Sequence, residues 1–431
     1  MNNNYLSARL LHIALASCFI VSCQNEMESS HNDSLLIKDK NCTSLLMEHA
    51  KIAAMDFVSE LSSTTRSDNT KEVGDVYAWL ESDLYPNTRG GDSPDALQDT
   101  LLYIVNFKNN GGYVLVHAKD SVGGILAYVE KGHLTPYDEI ENPGFRSFLD
   151  GVRYYGDPMG PIPPSNDSLD NGDPSVGPGG MFPEYKWKID SIRTPLTTTK
   201  WGQREPFNTY CYTSTGLQAV AGCNSISVAQ TIAYYGWPSY FNGHYYHWSE
   251  ILAGIQPTSS IGMNDAALLV SDIGQQMPNI TYGVNSTTAN NSDVAAALSA
   301  FGYNYQFAPY SYQTIKNETD SGRPVIIGGY TSSGQLVGHS WVLDGWALRV
   351  KYYYDFPATG GMTITPGERQ ELVHCNWGWY GQNDGYFLYN VLDIANRVLY
   401  DDLSLANNGG TSMLFDFGLA CFYNISPQSS Y

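Results

Sequence analysis

Near the middle of this 431-residue chain, one stretch offers almost nothing that a hydrophobic core could bury. It runs from Gly156 to Pro183 and reads GDPMGPIPPSNDSLDNGDPSVGPGGMFP. Segments so rich in Gly, Pro, Asp and Ser are solvated and are cut readily by proteases. The sequence therefore predicts two folded units on either side of an exposed linker, which we place at residues 156–192.

The charge balance limits the partners of the chain. It has 23 Lys and Arg against 43 Asp and Glu, which gives a formal net charge of -20 at pH 7. A protein this acidic repels the phosphate backbone of DNA or RNA. We therefore expect no nucleic-acid partner. The hydrophobic share of 42% is that of an ordinary globular protein.

The first residues predict export. Arg9 is followed by an apolar run, residues 10–22, that is too short to span a bilayer and ends in small residues, as a signal peptide does. Its end, IVSC, resembles a bacterial lipoprotein cleavage box, so we predict a lipoprotein-type signal peptide at residues 1–22 and a lipid anchor on Cys23. A cut before Cys18 would leave fewer apolar residues, and secretion without a lipid is the alternative. The protein would be either an outer-membrane lipoprotein, on the periplasmic or the outer face, or a secreted protein.

The cysteine count predicts a free thiol. Once Cys18 and Cys23 are set aside, five cysteines remain, namely Cys42, Cys211, Cys223, Cys375 and Cys421. An odd number in an exported protein leaves at least one thiol without a disulfide partner. Such a thiol needs a reason to stay reduced.

Hydrophobic periodicity predicts an α+β fold. In the first unit, the residues behind Ser44 show helical spacing, residues 101–132 form an antiparallel meander, and a short helix begins near Pro143. In the second unit, which we place at residues 193–431, helices come first, one of them behind Ser292, and strands follow. A helical half and a β half make an α+β domain.

The stretch AGCNSISVAQTIAYYGWP places Cys223 at the start of a helix. Gly222 permits a sharp turn before it, Gly236 is where a left-handed C-terminal cap is expected, and Pro238 blocks continuation. A cysteine attacks as its thiolate, and helix-terminal N–H groups together with an imidazolium lower the thiol pKa. Cys223 is thus a candidate nucleophile, and the alternative is a small buried apolar residue.

A general base must come from elsewhere in the chain, and His339 is the best candidate among the 9 histidines. It opens a predicted strand after the Gly-rich loop of GQLVGHSWVLDGW, where its ring can project beyond the sheet edge. Asn376 and Trp377, in HCNWGWYGQNDGYF, are candidates for the group that orients and shields this ring. Gln203, in WGQREPFN, could donate its amide to an oxyanion beside the N–H of Cys223.

Each of these residues also has a structural interpretation. His339 could be a capped loop histidine, Gln203 a surface residue, and the tryptophans part of a core. His374 lies in mid-strand and is expected to be structural. His244 and His247 lie in an aromatic loop that offers too few ligands for a metal, so we predict neither a metal nor a cofactor.

The order Gln, Cys, His, Asn or Trp is that of papain-like proteases, and the sequence resembles the streptopain family of cysteine peptidases. The stretches that carry the resemblance are TTKWGQREPFN, AGCNSISVAQTIAYYGWP, YHWSEIL, SDIGQQMPNITYG, GRPVIIGGY, GHSWVLDGW and NWGWYGQNDGYF, between Thr197 and about Tyr389. In addition, YIVNFKNNGGYVLVHAKDSVGGILAYVEKG resembles the inhibitory propeptide of that family. The resemblance implies a papain-like catalytic domain at residues 193–431 behind a smaller α+β prodomain at residues 23–155.

Residue by residue, the resemblance implies Cys223 as nucleophile, His339 as base and Gln203 as oxyanion-hole residue. It leaves open whether Asn376 or Trp377 orients the histidine. Three residues beside these positions depart from the family pattern and could alter the substrate pocket: Asn224, Ser225 and Ser340.

The function implied is that of a cysteine endopeptidase made as a zymogen, acting on polypeptide substrates without a cofactor. Its propeptide would be an intramolecular inhibitor, and an activating protease or self-cleavage would cut the linker at residues 156–192. The membrane would be contacted only through a lipid on Cys23. The alternatives are a cysteine acyltransferase or amidase on the same fold, and a surface binding protein without enzymatic activity.

Overall fold

The computed structural model of this chain describes residues 32–65, 71–80, 100–118, 124–152, 184–330, 338–355, 361–392 and 417–428. The predicted signal peptide, the two cysteines at its end, and the predicted linker as far as Pro183 lie outside the described residues. In the described part, no helix is long and apolar enough to cross a membrane.

The described residues confirm the α+β class, with eight helices and thirteen strands. The helices are α1 (Asn32–Thr65), α2 (Pro143–Val152), α3 (Cys223–Tyr235), α4 (Trp248–Ile251), α5 (Ser260–Gln275), α6 (Asn291–Ala300), α7 (Tyr312–Asp320) and α8 (Tyr389–Leu392). The strands are β1 (Val73–Leu80), β2 (Thr100–Phe107), β3 (Tyr113–His117), β4 (Ile125–Val129), β5 (Glu184–Arg193), β6 (Tyr240–Phe241), β7 (His244–Tyr245), β8 (Tyr303–Pro309), β9 (Val325–Tyr330), β10 (Gly338–Asp355), β11 (Thr363–Asn376), β12 (Gly385–Leu388) and β13 (Phe417–Pro427).

The two units share one antiparallel sheet. Its main path runs β1-β2-β3-β4-β12-β11-β10-β9-β13-β8, and β5 pairs with β10 beside this path. The units meet where β4 pairs with β12, with Ala127 opposite Phe387 and Val129 opposite Gly385. A side chain at Gly385 would put its Cβ 2.0 Å from the carbonyl oxygen of Tyr128, so the close approach of the two strands requires glycine there.

The first unit covers both faces of this sheet. Alternate residues of a strand point to opposite faces, so Tyr103 and Val105 of β2 lie on the face that α1 covers. Phe57 and Ala54 of α1 are fully buried in that cluster, which also contains Ala347 of the second unit. Helix α2 packs on the opposite face, together with residues of β11 and β12. Both apolar clusters therefore cross the boundary between the units.

Several local predictions are corrected by the structure. Helix α1 begins at Asn32 and not behind Ser44; residues 32–43 contain neither Pro nor Gly, so nothing in them stops the helix. Helix α6 is capped by the Asn290 side chain in a capping box with Asp293, and not by Ser292. Residues 184–192, which we included in the linker, belong to β5 and pair with β10.

Other elements have no counterpart in the sequence analysis, among them β1, β8 and α7. The predicted strand that His339 opens runs without a break as far as Asp355, as β10. The meander, the helix that starts at Pro143, helix α3 and its left-handed cap at Gly236 are confirmed.

A buried charged cluster joins the two units beside the β4–β12 pairing. His374 of β11 is fully buried, and its Nδ1 lies 2.6 Å from Asp344 Oδ1 while its Nε2 lies 3.5 Å from Glu130 Oε1 of the first unit. Burial alone would lower the pKa of His374, but the two carboxylates outweigh it and raise the pKa to about 9. Burial would likewise raise the pKa of Glu130, yet its contact with His374 and nearby lysines lowers that pKa to about 2.

This cluster predicts that the free energy of unfolding depends on pH, and the substitution Glu130→Gln tests the contribution of the cluster. The lowered pKa of Glu130 means that its ionisation stabilises the fold above about pH 4.5, and this stabilisation is lost as the pH falls toward 2. The raised pKa of His374 means that its protonation stabilises the fold below about pH 6.5, and this stabilisation is lost as the pH rises through 9. We expect Glu130→Gln to lower the free energy of unfolding by about 1 kcal/mol between pH 5 and 7. The difference in unfolding free energy between Glu130→Gln and wild type, measured by chemical unfolding, should shrink as the pH falls toward 2 and as it rises through 9.

The control for this measurement is Glu139→Gln, which changes an exposed carboxylate of the same unit. It should leave the unfolding free energy unchanged across the pH range. An equal loss of stability at all pH values in Glu130→Gln would contradict an ionic role for this contact.

Candidate active site

Helix α3 presents Cys223 as its first residue. Gly222 before it has a φ of 88° and no side chain to cap the helix, so the N–H groups of the first turn stay open. A Cβ on Gly222 would lie 2.9 Å from the Thr287 methyl group, which is a second reason for glycine at this position. The helix start thus combines a thiol with uncapped N–H donors, which favour negative charge.

The sulfur of Cys223 lies at the start of β10. It accepts a hydrogen bond from the backbone N–H of Ser340, the residue that follows His339. One turn along α3, the hydroxyl of Ser227 lies 2.9 Å from that of Ser340, which ties the helix to the strand. The structure therefore brings Cys223 next to the chain segment that carries His339. Burial raises the pKa of the Cys223 thiol, and the N–H contacts oppose this effect.

The ring of His339 is held by the backbone of Trp377. Its Nε2 lies 3.0 Å from the Trp377 carbonyl oxygen. Because a carbonyl only accepts, Nε2 carries the proton and Nδ1 keeps the lone pair in the neutral ring. The ring stacks on Trp341 and meets Trp379 edge-on, at centroid distances of 5.8 and 6.3 Å. Burial lowers the pKa of His339 to about 4, so the ring is neutral at pH 7.

The side chain of Asn376 is engaged elsewhere. Its Nδ2 donates to the carbonyl oxygen of Thr199 at 2.7 Å, and its Oδ1 accepts from Gln230 Nε2 at 3.1 Å. These bonds tie β11 to helix α3 and to the segment before Gln203. Of the two residues considered for orienting His339, Trp377 makes a contact with the ring, and it does so through its main-chain carbonyl.

Gln203 lies beside the start of α3. The backbone N–H of Ala221, two residues before Cys223, donates to the Gln203 carbonyl oxygen at 2.8 Å. The Gln203 side chain is half-buried. Twenty residues of sequence are thus folded back so that Gln203 and Cys223 neighbour each other.

Helix α2 of the first unit lies on this site. A Cβ on Gly144 would come within 2.3 Å of the Trp377 ring and 2.9 Å of His339 Cδ2, so the bare backbone of the helix touches both side chains. Asn142 caps α2 by accepting from the N–H of Gly144, and its Nδ2 donates to the Gln382 carbonyl oxygen at 3.3 Å. The first unit therefore contributes to the burial of His339, and burial lowers the pKa of this ring.

The other candidates are structural in character. His244 and His247 pair with Asp272 and Asp265, each with a nitrogen to oxygen distance of 2.7 Å. In the described part of the chain, no group of three or more His, Cys, Asp or Glu side chains is placed to hold a metal. The thiols of Cys211, Cys375 and Cys421 are also buried.

Sequence reasoning missed the backbone partner of His339 and the contact of Gly144. A main-chain carbonyl has no residue-type signature, and the role of Gly144 depends on how the first unit docks. The Gly-rich run after Trp377 was the available signal, and four of its residues, Gly378, Tyr380, Gly381 and Asn383, have positive φ values.

Comparison with known proteins agrees with this architecture. The profile of the Peptidase C10 family matches residues 201–387, and that of the Spi protease inhibitor matches residues 42–155. The chain therefore carries a Peptidase C10 domain behind a Spi-type inhibitor segment. The resemblance to the streptopain family is thereby confirmed.

Among curated relatives, the chain is 23% identical over 342 residues to the thiol protease/hemagglutinin PrtT of Porphyromonas gingivalis, an alignment that covers 69% of this chain and 34% of PrtT. It is 25% identical over 214 residues to streptopain of Streptococcus pyogenes, covering 41% of this chain and 48% of streptopain. The chain thus spans about half or less of the length of these relatives.

Solved structures of a related protein are also similar in part. A fragment of prointerpain A from Prevotella intermedia matches 74% of this chain and 94% of the fragment, at 20% identity and a TM-score of 0.46. Active interpain A from the same organism matches 54% of this chain and 95% of its own, at 23% identity and a TM-score of 0.37.

Proposed function

We propose that this protein is a cysteine endopeptidase made as a zymogen, which hydrolyses peptide bonds of polypeptide substrates. The observation that carries the proposal is the Cys223 sulfur at an uncapped helix start, hydrogen-bonded to the residue after His339. The Peptidase C10 domain at residues 201–387 supports the same reaction.

In the proposed mechanism, His339 Nδ1 takes the thiol proton and the Cys223 sulfur attacks the carbonyl carbon of the scissile bond. The N–H of Cys223 and the side-chain amide of Gln203 hold the oxyanion. His339 then protonates the leaving amine, and water hydrolyses the acyl-enzyme to release the acid. The Trp377 carbonyl orients the imidazole throughout, and we assign Asn376 the role of fixing the strand that carries it.

The first unit would keep this site inactive. In the zymogen, burial lowers the pKa of His339 to about 4 and raises that of the Cys223 thiol, so the neutral thiol and neutral imidazole are favoured over the reactive ion pair. Removal of the unit after cleavage of the linker, by another protease or by the enzyme itself, would expose the pair to solvent. Export with a lipid on Cys23, or secretion, remains part of this proposal.

The fate of the acyl group tests the proposed reaction. The full chain is matured and incubated with casein in ¹⁸O-labelled water, with glycine amide present as an amine acceptor. Hydrolysis predicts ¹⁸O in the new carboxyl ends and little glycine amide in the products. Predominant transfer to glycine amide would favour a cysteine acyltransferase on the same fold instead. If casein is not cleaved at all, the remaining alternative is a surface binding protein without enzymatic activity.

A further inference from the structure

Tyr380 touches the backbone on both sides of Gln203. It lies in the loop 377–384, which connects the histidine-holding Trp377 to β12. Its backbone N–H donates to the Trp201 carbonyl oxygen at 3.0 Å. Its hydroxyl accepts from the backbone N–H of Arg204 at 2.7 Å and donates to the Glu205 carbonyl oxygen at 3.3 Å. Gln203 is thus bracketed by contacts to the residues before and after it.

The ring of Tyr380 adds a third contact. A Cβ on Gly202 would lie 2.2 to 2.4 Å from three carbons of this ring, so the ring lies directly on the Gly202 backbone. Phe207 packs beside it at a centroid distance of 6.2 Å. Only glycine at position 202 leaves room for this arrangement.

Tyr380 adopts a backbone conformation that tyrosine seldom uses. Its φ is 58°, in the left-handed region, where a residue other than glycine is disfavoured. Such strain persists where the surrounding structure over-determines the conformation, and it concentrates at functional sites. Here the contacts that hold it are those to the Gln203 segment.

A buried ion pair anchors the same loop to the same segment. Lys200 Nζ lies 2.9 Å from Asp384 Oδ2, and Asp384 Oδ1 accepts from the backbone N–H of Trp377 at 2.9 Å. The loop 377–384 therefore holds His339 at one end, through the Trp377 carbonyl, and the Gln203 segment through Tyr380 and Asp384. Any shift of Tyr380 moves the backbone next to Gln203.

We infer that Tyr380 is a positioning residue for the oxyanion hole, acting through Gln203; this inference rests on the proposed function. In this inference the tyrosine acts only through Gln203 and not by contact with the reacting atoms. It sets the backbone from which the Gln203 amide reaches the oxyanion. An oxyanion-hole donor that is misplaced by a fraction of an ångström stabilises the transition state less, while substrate binding is largely unaffected.

The test is a double-mutant cycle on the full chain after maturation. Gln203→Ala should lower kcat about 100-fold. Tyr380→Ala should lower kcat about tenfold with an unchanged KM, and Tyr380→Phe, which keeps the ring on Gly202, should recover much of that loss. In the Gln203→Ala background, both Tyr380 substitutions should have no further effect on kcat, because the residue through which they act is gone.

Alkylation of Cys223 by iodoacetamide separates positioning from general damage. This reaction needs the thiol and His339 but no oxyanion hole, so its rate should be the same in Tyr380→Ala and wild type. Tyr245→Phe, an exposed tyrosine of β7, is the matched control and should leave kcat unchanged. An undiminished kcat in Tyr380→Ala, or an equal loss with and without Gln203, would overturn the inference while leaving the proposed peptidase activity intact.

Discussion

Cys223→Ala is expected to abolish both the cleavage of casein and the self-processing of the chain. In the proposed mechanism the Cys223 sulfur forms the acyl-enzyme, and alanine offers no substitute nucleophile. Loss of a catalytic nucleophile lowers the turnover rate by at least about 1,000-fold. The measurement is casein hydrolysis by equal amounts of matured wild-type and variant protein, with the appearance of processed chain followed by mass spectrometry.

The matched control is Cys421→Ala, which removes another buried thiol of the second unit, on the strand β13 that pairs with β8 and β9. It should keep casein hydrolysis within about twofold of wild type, since core truncation at this site affects stability rather than the reaction. Residual cleavage by Cys223→Ala above about a tenth of the wild-type rate would mean that the nucleophile lies elsewhere.

Gly144→Val is expected to activate the uncut zymogen. The valine side chain would overlap the Trp377 ring and the edge of His339, which the bare Gly144 backbone now touches. Overpacking of this kind costs about 1–3 kcal/mol. If that cost is relieved by lifting α2 off the site, the open form becomes about ten- to a hundredfold more populated. The initial rate on a fluorogenic peptide should rise accordingly before any linker cleavage is visible on a gel.

Gly74→Val provides the control for this prediction. Gly74 is exposed in β1, where a Cβ would make only ordinary contacts at 3.5 Å, and a β-branched residue suits a strand. Its uncut form should be as inactive as wild type. An inactive Gly144→Val zymogen that still unfolds like wild type would show that α2 does not block the site.

Local features of the site could be predicted from the sequence because they depend on local signals. A glycine before Cys223 and another at the end of the helix define α3 whatever packs around it. The position of His339 at the start of β10 follows from the loop before a β-rich run. Family resemblance, not spacing, was needed to relate these residues to each other.

What could not be predicted depends on long-range contacts. The pairing of β4 with β12 depends on which strand edges meet in the folded protein, and the sequence of neither strand indicates which strand it will pair with. The sequence could not decide whether Asn376 or Trp377 orients His339. The group that contacts the ring is the main-chain carbonyl of Trp377, and every residue has such a carbonyl. Strand β5 was assigned to the linker because its polar residues face solvent while its backbone pairs with β10.

The central claim is that the Cys223 thiol becomes reactive only when the first unit moves away from His339. A thiol-directed epoxide inhibitor, applied to the full chain before and after maturation and located by peptide mass spectrometry, tests it most directly. The account predicts no label in the zymogen and one label per matured molecule, on Cys223. Equal labelling of Cys223 in both forms, or a label on Cys211, Cys375 or Cys421 instead, would contradict it.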